Sequence, residues 1–221
     1  MTIQDIQAVQ ELLATSKKIA IIPHRGPDGD AMGSTLALYH FLVKNNNQPV
    51  VIAPNEFPDF LAWLPGSETV EVYEKEREKC TAILKEAELI FTLDFNALHR
   101  TGEMETVLQT LNVPFIMIDH HQKPDDYATV MYSDTQFGST CEMIYNFITY
   151  LGQKSSIDKT IATCIYTGIL TDSGSFRFPK TTGNTHRIVA DLIDLGVENT
   201  VVPTLLFDNS SYNRLQLLGR A

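Results

Sequence analysis

Residues 24–34, HRGPDGDAMGS, place one histidine and two aspartates (His24, Asp28 and Asp30) within seven positions, separated by glycine and proline. Gly26, Gly29 and Gly33 suit a tight turn and let a phosphate approach the amides that open the next helix. The same residue types recur in three other places: Asp94 in FTLDFNALHRTG, Asp119-His120-His121 in MIDHH, and Asp172 in TGILTDSGSFRF. Carboxylates and imidazoles without thiolates suit hard or borderline divalent cations, with manganese or magnesium first and cobalt or zinc after them. These donors outnumber what one ion needs, so two ions a few ångströms apart are expected. Such a pair holds a hydroxide between its members and clamps the attacking and leaving oxygens of a phosphoryl displacement. A lone aspartate after a strand is ordinarily a turn former or a helix cap. Acids and imidazoles gathered from four separate segments call for a common cause.

Ordered elements must deliver these side chains. Apolar positions at helical spacing (Ile3, Ile6, Val9, Leu12 and Leu13) predict a helix over 3–17. KIAIIP (18–23), PVVIAP (49–54), ELIFTLD (88–94), VPFIMID (113–119) and ATVMYS (128–133) read as five strands. Segment 24–34 reads as a turn, followed by helices at 33–45, 75–87, within 102–111, and at about 138–151, 158–171 and 184–195. The tail, 198–221, is compatible with one or two more. Near-continuous apolar strands alternating with helices predict an α/β fold, a mostly parallel five-stranded sheet covered by helices on both faces. Ligands bind such sheets beyond the carboxyl ends of the strands. Three of the five predicted strands run there into His24, Asp94 and Asp119-His120-His121, and Asp172 lies where a predicted helix must turn.

The charge balance excludes some partners. With 17 basic and 27 acidic residues the net charge is −10, and no basic stripe is visible, so a grip on long duplex nucleic acid is not expected. The acidity is either a solvated surface, as in EVYEKEREK, or a set of metal ligands. No run of eighteen apolar residues occurs and the first residues are polar, so neither a membrane span nor a secretory signal is expected and the cytoplasm is the expected compartment. Cys80, Cys141 and Cys164 lie far apart without CxxC spacing and are expected as buried small hydrophobes. No GxGxxG follows the first strand, which argues against a dinucleotide-cofactor domain.

Taken together, HRGPDGDAMGS, Asp94, the Asp-His-His and TGILTDSGSFRF resemble, in order and spacing, the DHH family of phosphoesterases. The resemblance implies two manganese ions, with magnesium or cobalt as substitutes. His24, Asp28 and Asp94 would hold one ion; Asp30, Asp94, His120 and Asp172 would hold the other, with Asp94 shared. It assigns catalysis to Asp94, His120 and His121, with a hydroxide between the metals as nucleophile. Asp119 would orient a histidine through its ring N–H, and His121 would face the substrate. Arg25, Arg100, Arg177, Gly33 and Ser34 are candidates for phosphate contacts, the arginines having surface ion pairs as their alternative. His40, His99 and His186 match no ligand position and are expected to be structural.

Within the family, HxxPDGDAxGS with TDxGSFRF is most similar to the oligoribonuclease and 3′-phosphoadenosine 5′-phosphate (pAp) phosphatase branch, the nanoRNases. The implied partners are short oligonucleotides or nucleotides, with no membrane and with a homodimer allowed. Inorganic pyrophosphatases, exopolyphosphatase-like proteins and cyclic-dinucleotide phosphodiesterases share this type of site. A regulatory module that binds metal or nucleotide without catalysis is the non-enzymatic alternative; a lost ligand would mark it, and every ligand position here is filled. Short RNA needs stacking surfaces, whereas pyrophosphate needs a dense cationic clamp; few Lys or Arg residues lie beside the motifs, which favours nucleotides. The glycine-rich GGGH-like segment of the family's substrate-binding domain is missing. The expected division is therefore a catalytic domain over 1–197 and a helical connector, 198–221, towards a C-terminal domain outside this chain. A catalytic domain by itself would act weakly.

Overall fold

Strands buried on both faces have no polar side to show, which is why their sequences are apolar throughout. The computed structural model describes residues 1–208 together with 216, 219 and 220. Its strands are β1 (Lys18–Ile22), β2 (Gln48–Ala53), β3 (Glu71–Val72), β4 (Leu89–Leu93), β5 (Phe115–Asp119) and β6 (Val130–Ser133). They form one parallel sheet in the order β3-β2-β1-β4-β5-β6, with Ala20 of β1 opposite both Val50 and Ile90. The helices are α1 (Ile3–Leu12), α2 (Gly29–Lys44), α3 (Arg77–Glu86), α4 (Glu105–Leu108), α5 (Thr140–Tyr150), α6 (Lys159–Asp172), α7 (Gly183–Asp194) and α8 (Val201–Phe207).

Alternation along each strand splits the core in two. Ile19, Ile21, Phe91 and Ile116 pack with α2, α5 and α6, while Ala20, Ile22 and Ile90 pack with α3 and α4. Val202 and Leu206 of α8 are buried in the first of these cores. The covered parallel sheet is as expected, with four differences in its elements.

The sheet has six strands rather than five. β3 is two residues long and is a strand only through its pairing with β2 (Ile52 to Glu71, Ala53 to Val72), so no periodicity announces it. Half of the supposed turn at 24–34 is helix, because α2 begins at Gly29. Asp28 caps it, its Oδ1 accepting from the amides of Asp30 and Ala31 at 3.0 Å each. Two glycines lower the local helix propensity, but packing against α6 overrides it. The helix expected within 102–111 is mostly a 3-10 turn, Leu98–Met104, broken at Gly102, with only the short α4 behind it. The first helix ends at Leu12. In the tail, α8 is one of the one or two expected helices; most of 209–221 lies outside the described residues. Among the described residues no helix is long and apolar enough to cross a membrane.

Candidate metal centre

The strand order reverses direction between β1 and β4, and in doubly wound sheets a crevice opens at that point, beyond the carboxyl ends. His24 lies two residues past β1 and Asp94 directly follows β4. Asp94 takes a left-handed backbone, φ 65°, which aspartate tolerates better than most residues. Its amide donates to the carbonyl of Ile118 at 3.1 Å, tying it to β5, and Asp119 is the last residue of β5. Asp30 comes from the first turn of α2 and Asp172 from the last residue of α6.

Asp94 stands between two sets of donors. Its Oδ2 is 3.6 Å from His24 Nε2, which is also 3.9 Å from Asp28 Oδ2. Its Oδ1 is 3.4 Å from His120 Nε2, which is 3.5 Å from Asp172 Oδ2 and 3.9 Å from Asp30 Oδ2. Donors each about 2.1 Å from one ion stand roughly 3–4 Å apart, so these spacings fit a divalent cation on either side of Asp94. His24, Asp28 and Asp94 gather within 4.8 Å, as do Asp30, His120 and Asp172, and also Asp94, His120 and His121. The two ligand sets expected from the sequence are brought together. His24 Nδ1 donates to the Arg25 carbonyl at 2.9 Å, which fixes the ring with Nε2 beside Asp28 and Asp94.

The electrostatics suit positive charge. Burial pushes the Asp30 carboxyl well above the usual carboxylate range, and the charges of Asp94 and Asp172 push it further. Burial raises Asp172 to about 6; His120 pulls it down, while Asp94 and Asp28 push it up. For Asp94 burial is outweighed by hydrogen bonds from His120 and His24, which hold it well below the usual range. In His120 burial is likewise outweighed, by Asp94, Asp30 and Asp172, and the ring rises to about 9. These acids favour a proton on His120, which an entering cation must displace. Cation affinity is accordingly expected to climb by up to about tenfold per pH unit from pH 6 towards 9 and then level off. Titration calorimetry across this range checks it; affinity that falls with pH contradicts it.

Several supports were not anticipated. Asp30 is 1% exposed, and its carboxylate accepts from the amides of Thr140 (2.6 Å) and Cys141 (2.9 Å), the first two of α5. Thr140 Oγ1 also donates to Asp94 Oδ1 at 2.9 Å. The available signal was Gly-Ser-Thr (138–140) ahead of a helical run, an N-cap pattern whose target only the tertiary fold reveals. Thr140→Val keeps the shape and removes that donor; we expect cation affinity to fall about 10- to 100-fold with the helical circular dichroism unchanged. Unaltered affinity would count against this support.

The remaining predicted residues divide. Asp119 is fully buried and holds His121, accepting from Nδ1 (2.7 Å) and from the backbone amide (3.0 Å). The His121 side chain is 41% exposed, so Nε2 is left for other partners. Gly33 and Ser34 are not phosphate contacts: both are buried, Ser34 Oγ donates to the Ala31 carbonyl, and a Cβ on Gly33 would lie 2.6 Å from the Cys164 carbonyl. Gly33 serves the close crossing of α2 over α6, and the amides ahead of it are already capped by Asp28. Arg25 pairs with Glu74 at 2.7 Å and Arg177 donates from Nε to the Gly174 carbonyl, while Arg100 is exposed on the 3-10 turn. His40 bonds the Pro65 carbonyl, as a structural histidine should; His186 stacks near Phe176, and His99 is exposed.

The chain is 33% identical over 215 residues to the bifunctional oligoribonuclease and PAP phosphatase NrnA of Thermus thermophilus, covering 96% of this chain and 61% of that one. It is 30% identical over 176 residues to the probable bifunctional oligoribonuclease and PAP phosphatase NrnA of Streptococcus mutans, covering 79% and 52%. The crystal structure of an exopolyphosphatase-related protein from Bacteroides fragilis superposes with a TM-score of 0.97 at 36% identity, over 99% of this chain and 64% of that one. The chain thus spans between about half and two thirds of the length of these relatives. The model of the DHH family, N-terminal domain, matches residues 18–169, and the chain belongs to that family.

Proposed function

We propose that this chain hydrolyses phosphate esters of short oligonucleotides, and of 3′-phosphoadenosine 5′-phosphate, with two divalent cations, manganese first, held on either side of Asp94. The observation that carries the reading is the Asp94 carboxylate, with one oxygen beside His24 and the other beside His120. When bound, such a pair of cations acidifies water and neutralises charge on a phosphoryl group. His24 and Asp28 serve one side, and Asp30, His120 and Asp172 the other. His121, held by Asp119 through Nδ1, keeps Nε2 for other partners and is suited to pass a proton to the leaving oxygen. This scheme needs no covalent enzyme intermediate.

Nucleotides are favoured over inorganic chains for two reasons. The two NrnA proteins of Thermus and Streptococcus are named for oligoribonuclease and PAP phosphatase activity. A polyphosphate or pyrophosphate site needs a dense cationic clamp; Arg25 and Arg177 are engaged elsewhere, and the exposed Arg100 and Lys180 are too few to make one. The three cysteines are free and buried, as suits the reducing cytoplasm in which we place the protein. A second domain closing over the cleft belongs to the same reading, with the boundary beyond α8 rather than at residue 197, because Val202 and Leu206 are buried in the core of this domain.

One preparation assayed with Mn²⁺ on a diribonucleotide, on pAp and on pyrophosphate tests this. Hydrolysis of the first two with little action on pyrophosphate is expected. Pyrophosphate cleavage alone would overturn the nucleotide reading.

A further inference from the structure

Large aromatic side chains normally belong in a core, and here Phe41, Phe91, Phe95 and Phe147 are fully buried. Among the described residues four phenylalanine or tyrosine side chains are exposed instead: Phe60, Tyr150, Phe178 and Phe207. Three of the four line cavities that open on the acid cluster. One cavity lies between Phe60 and Phe207 and is floored by Asp28, Gly29 and Asp172. The other lies beside Phe178 and Lys180, and its wall includes His120, Asp172 and Thr181. The two meet at Asp172, the first reaching the His24–Asp28 side of Asp94 and the second the His120 side.

Resting on the nucleotide reading above, we infer that these cavities are two nucleobase subsites, one for each nucleoside flanking the scissile phosphate. Every base has an apolar face that stacks on an aromatic ring whatever its sequence, which suits an enzyme that clears short RNA of any composition. Inorganic phosphate chains have no use for such rings. Binding sites for small molecules span roughly 300–1,000 Å³. The Phe178 cavity, about 450 Å³, has room for a base with its sugar; the Phe60–Phe207 cavity, about 240 Å³, takes a base alone. Polar atoms are distributed unequally. Thr181 Oγ1 is buried without a hydrogen-bond partner, and Lys180 stands at the same cavity, so the Phe178 side can also address a sugar hydroxyl or a terminal phosphate. The preferred substrate is therefore a phosphodiester between two nucleosides, which fills both subsites; pAp, with one nucleoside, fills one.

2-Aminopurine loses fluorescence on stacking, so it reports each subsite independently of turnover. Two phosphorothioate-linked dinucleotides, with 2-aminopurine on the 5′ or the 3′ side of uridine, are titrated with the protein in Mg²⁺. Quenching is expected for both. Phe178→Leu, which keeps apolar bulk and removes the ring, should restore fluorescence for one placement only and weaken both dinucleotides by up to about tenfold. Phe60→Leu should do the same for the other placement, and Tyr150→Leu, away from both cavities, should change neither. No quenching, or quenching that survives both substitutions, overturns the subsites. Hydrolysis of the unmodified dinucleotide separates the two levels: cleavage without quenching removes the subsites alone, whereas neither cleavage nor quenching removes the nucleotide reading with them.

Discussion

Asp94→Asn is expected to lower turnover of a phosphodiester by about a thousandfold or more, since each 1.36 kcal/mol of lost barrier reduction is tenfold and paired cations would supply several kcal/mol. Asparagine preserves the volume and, like aspartate, tolerates the left-handed backbone at this position. Alanine would add strain at φ 65° and blur the result. The substitution removes the one charge that lies beside both His24 Nε2 and His120 Nε2, so it strikes both sides of the cluster. Asp28→Asn makes the contrast. Asparagine caps helices as well as aspartate does, so α2 keeps its start, and only the His24 side loses a ligand. Comparison of kcat and of melting curves for the two variants checks this. Asp94→Asn activity within tenfold of the wild type would show that the carboxylate is not shared.

Gly168→Ala is expected to destabilise the protein, against the usual rule. In an ordinary helix interior this exchange stabilises by about 0.5–1 kcal/mol. Here a Cβ would lie 2.2 Å from Cys141 Sγ and 2.7 Å from Asp30 Oδ1, distances no real side chain shows. Cys141 and Asp30 are both buried and cannot swing aside into solvent. Overpacking of this kind costs about 1–3 kcal/mol, which for a chain of this size lowers the melting temperature by roughly 2–12 °C. The Asp30 carboxylate must also shift off the Thr140 and Cys141 amides, so cation binding on the His120 side weakens with it. A raised melting temperature would refute the close approach of α6 to Asp30.

Much of this was legible in the residues themselves. Parallel strands buried on both faces announce themselves by unbroken apolar runs, and the side chain after each run is delivered to the same edge of the sheet. Hence His24, Asp94 and Asp119-His120-His121 could be placed together without coordinates, and Asp172 with them at the end of its helix. What stayed hidden depends on tertiary contact. β3 exists through its neighbour β2. The glycines of the opening motif pointed to a phosphate cradle, yet Gly29 and Gly33 are there because α6 passes too close for a Cβ. Thr140 and Cys141 hold Asp30 from 110 and 111 positions away, a partnership that no local spacing encodes.

The shared carboxylate is tested most directly by diffraction from crystals grown in Mn²⁺, with data collected at the manganese absorption edge. Two anomalous peaks are expected, one among His24, Asp28 and Asp94 and the other among Asp30, Asp94, His120 and Asp172. A single peak, or two that both lie away from Asp94, would contradict the paired centre.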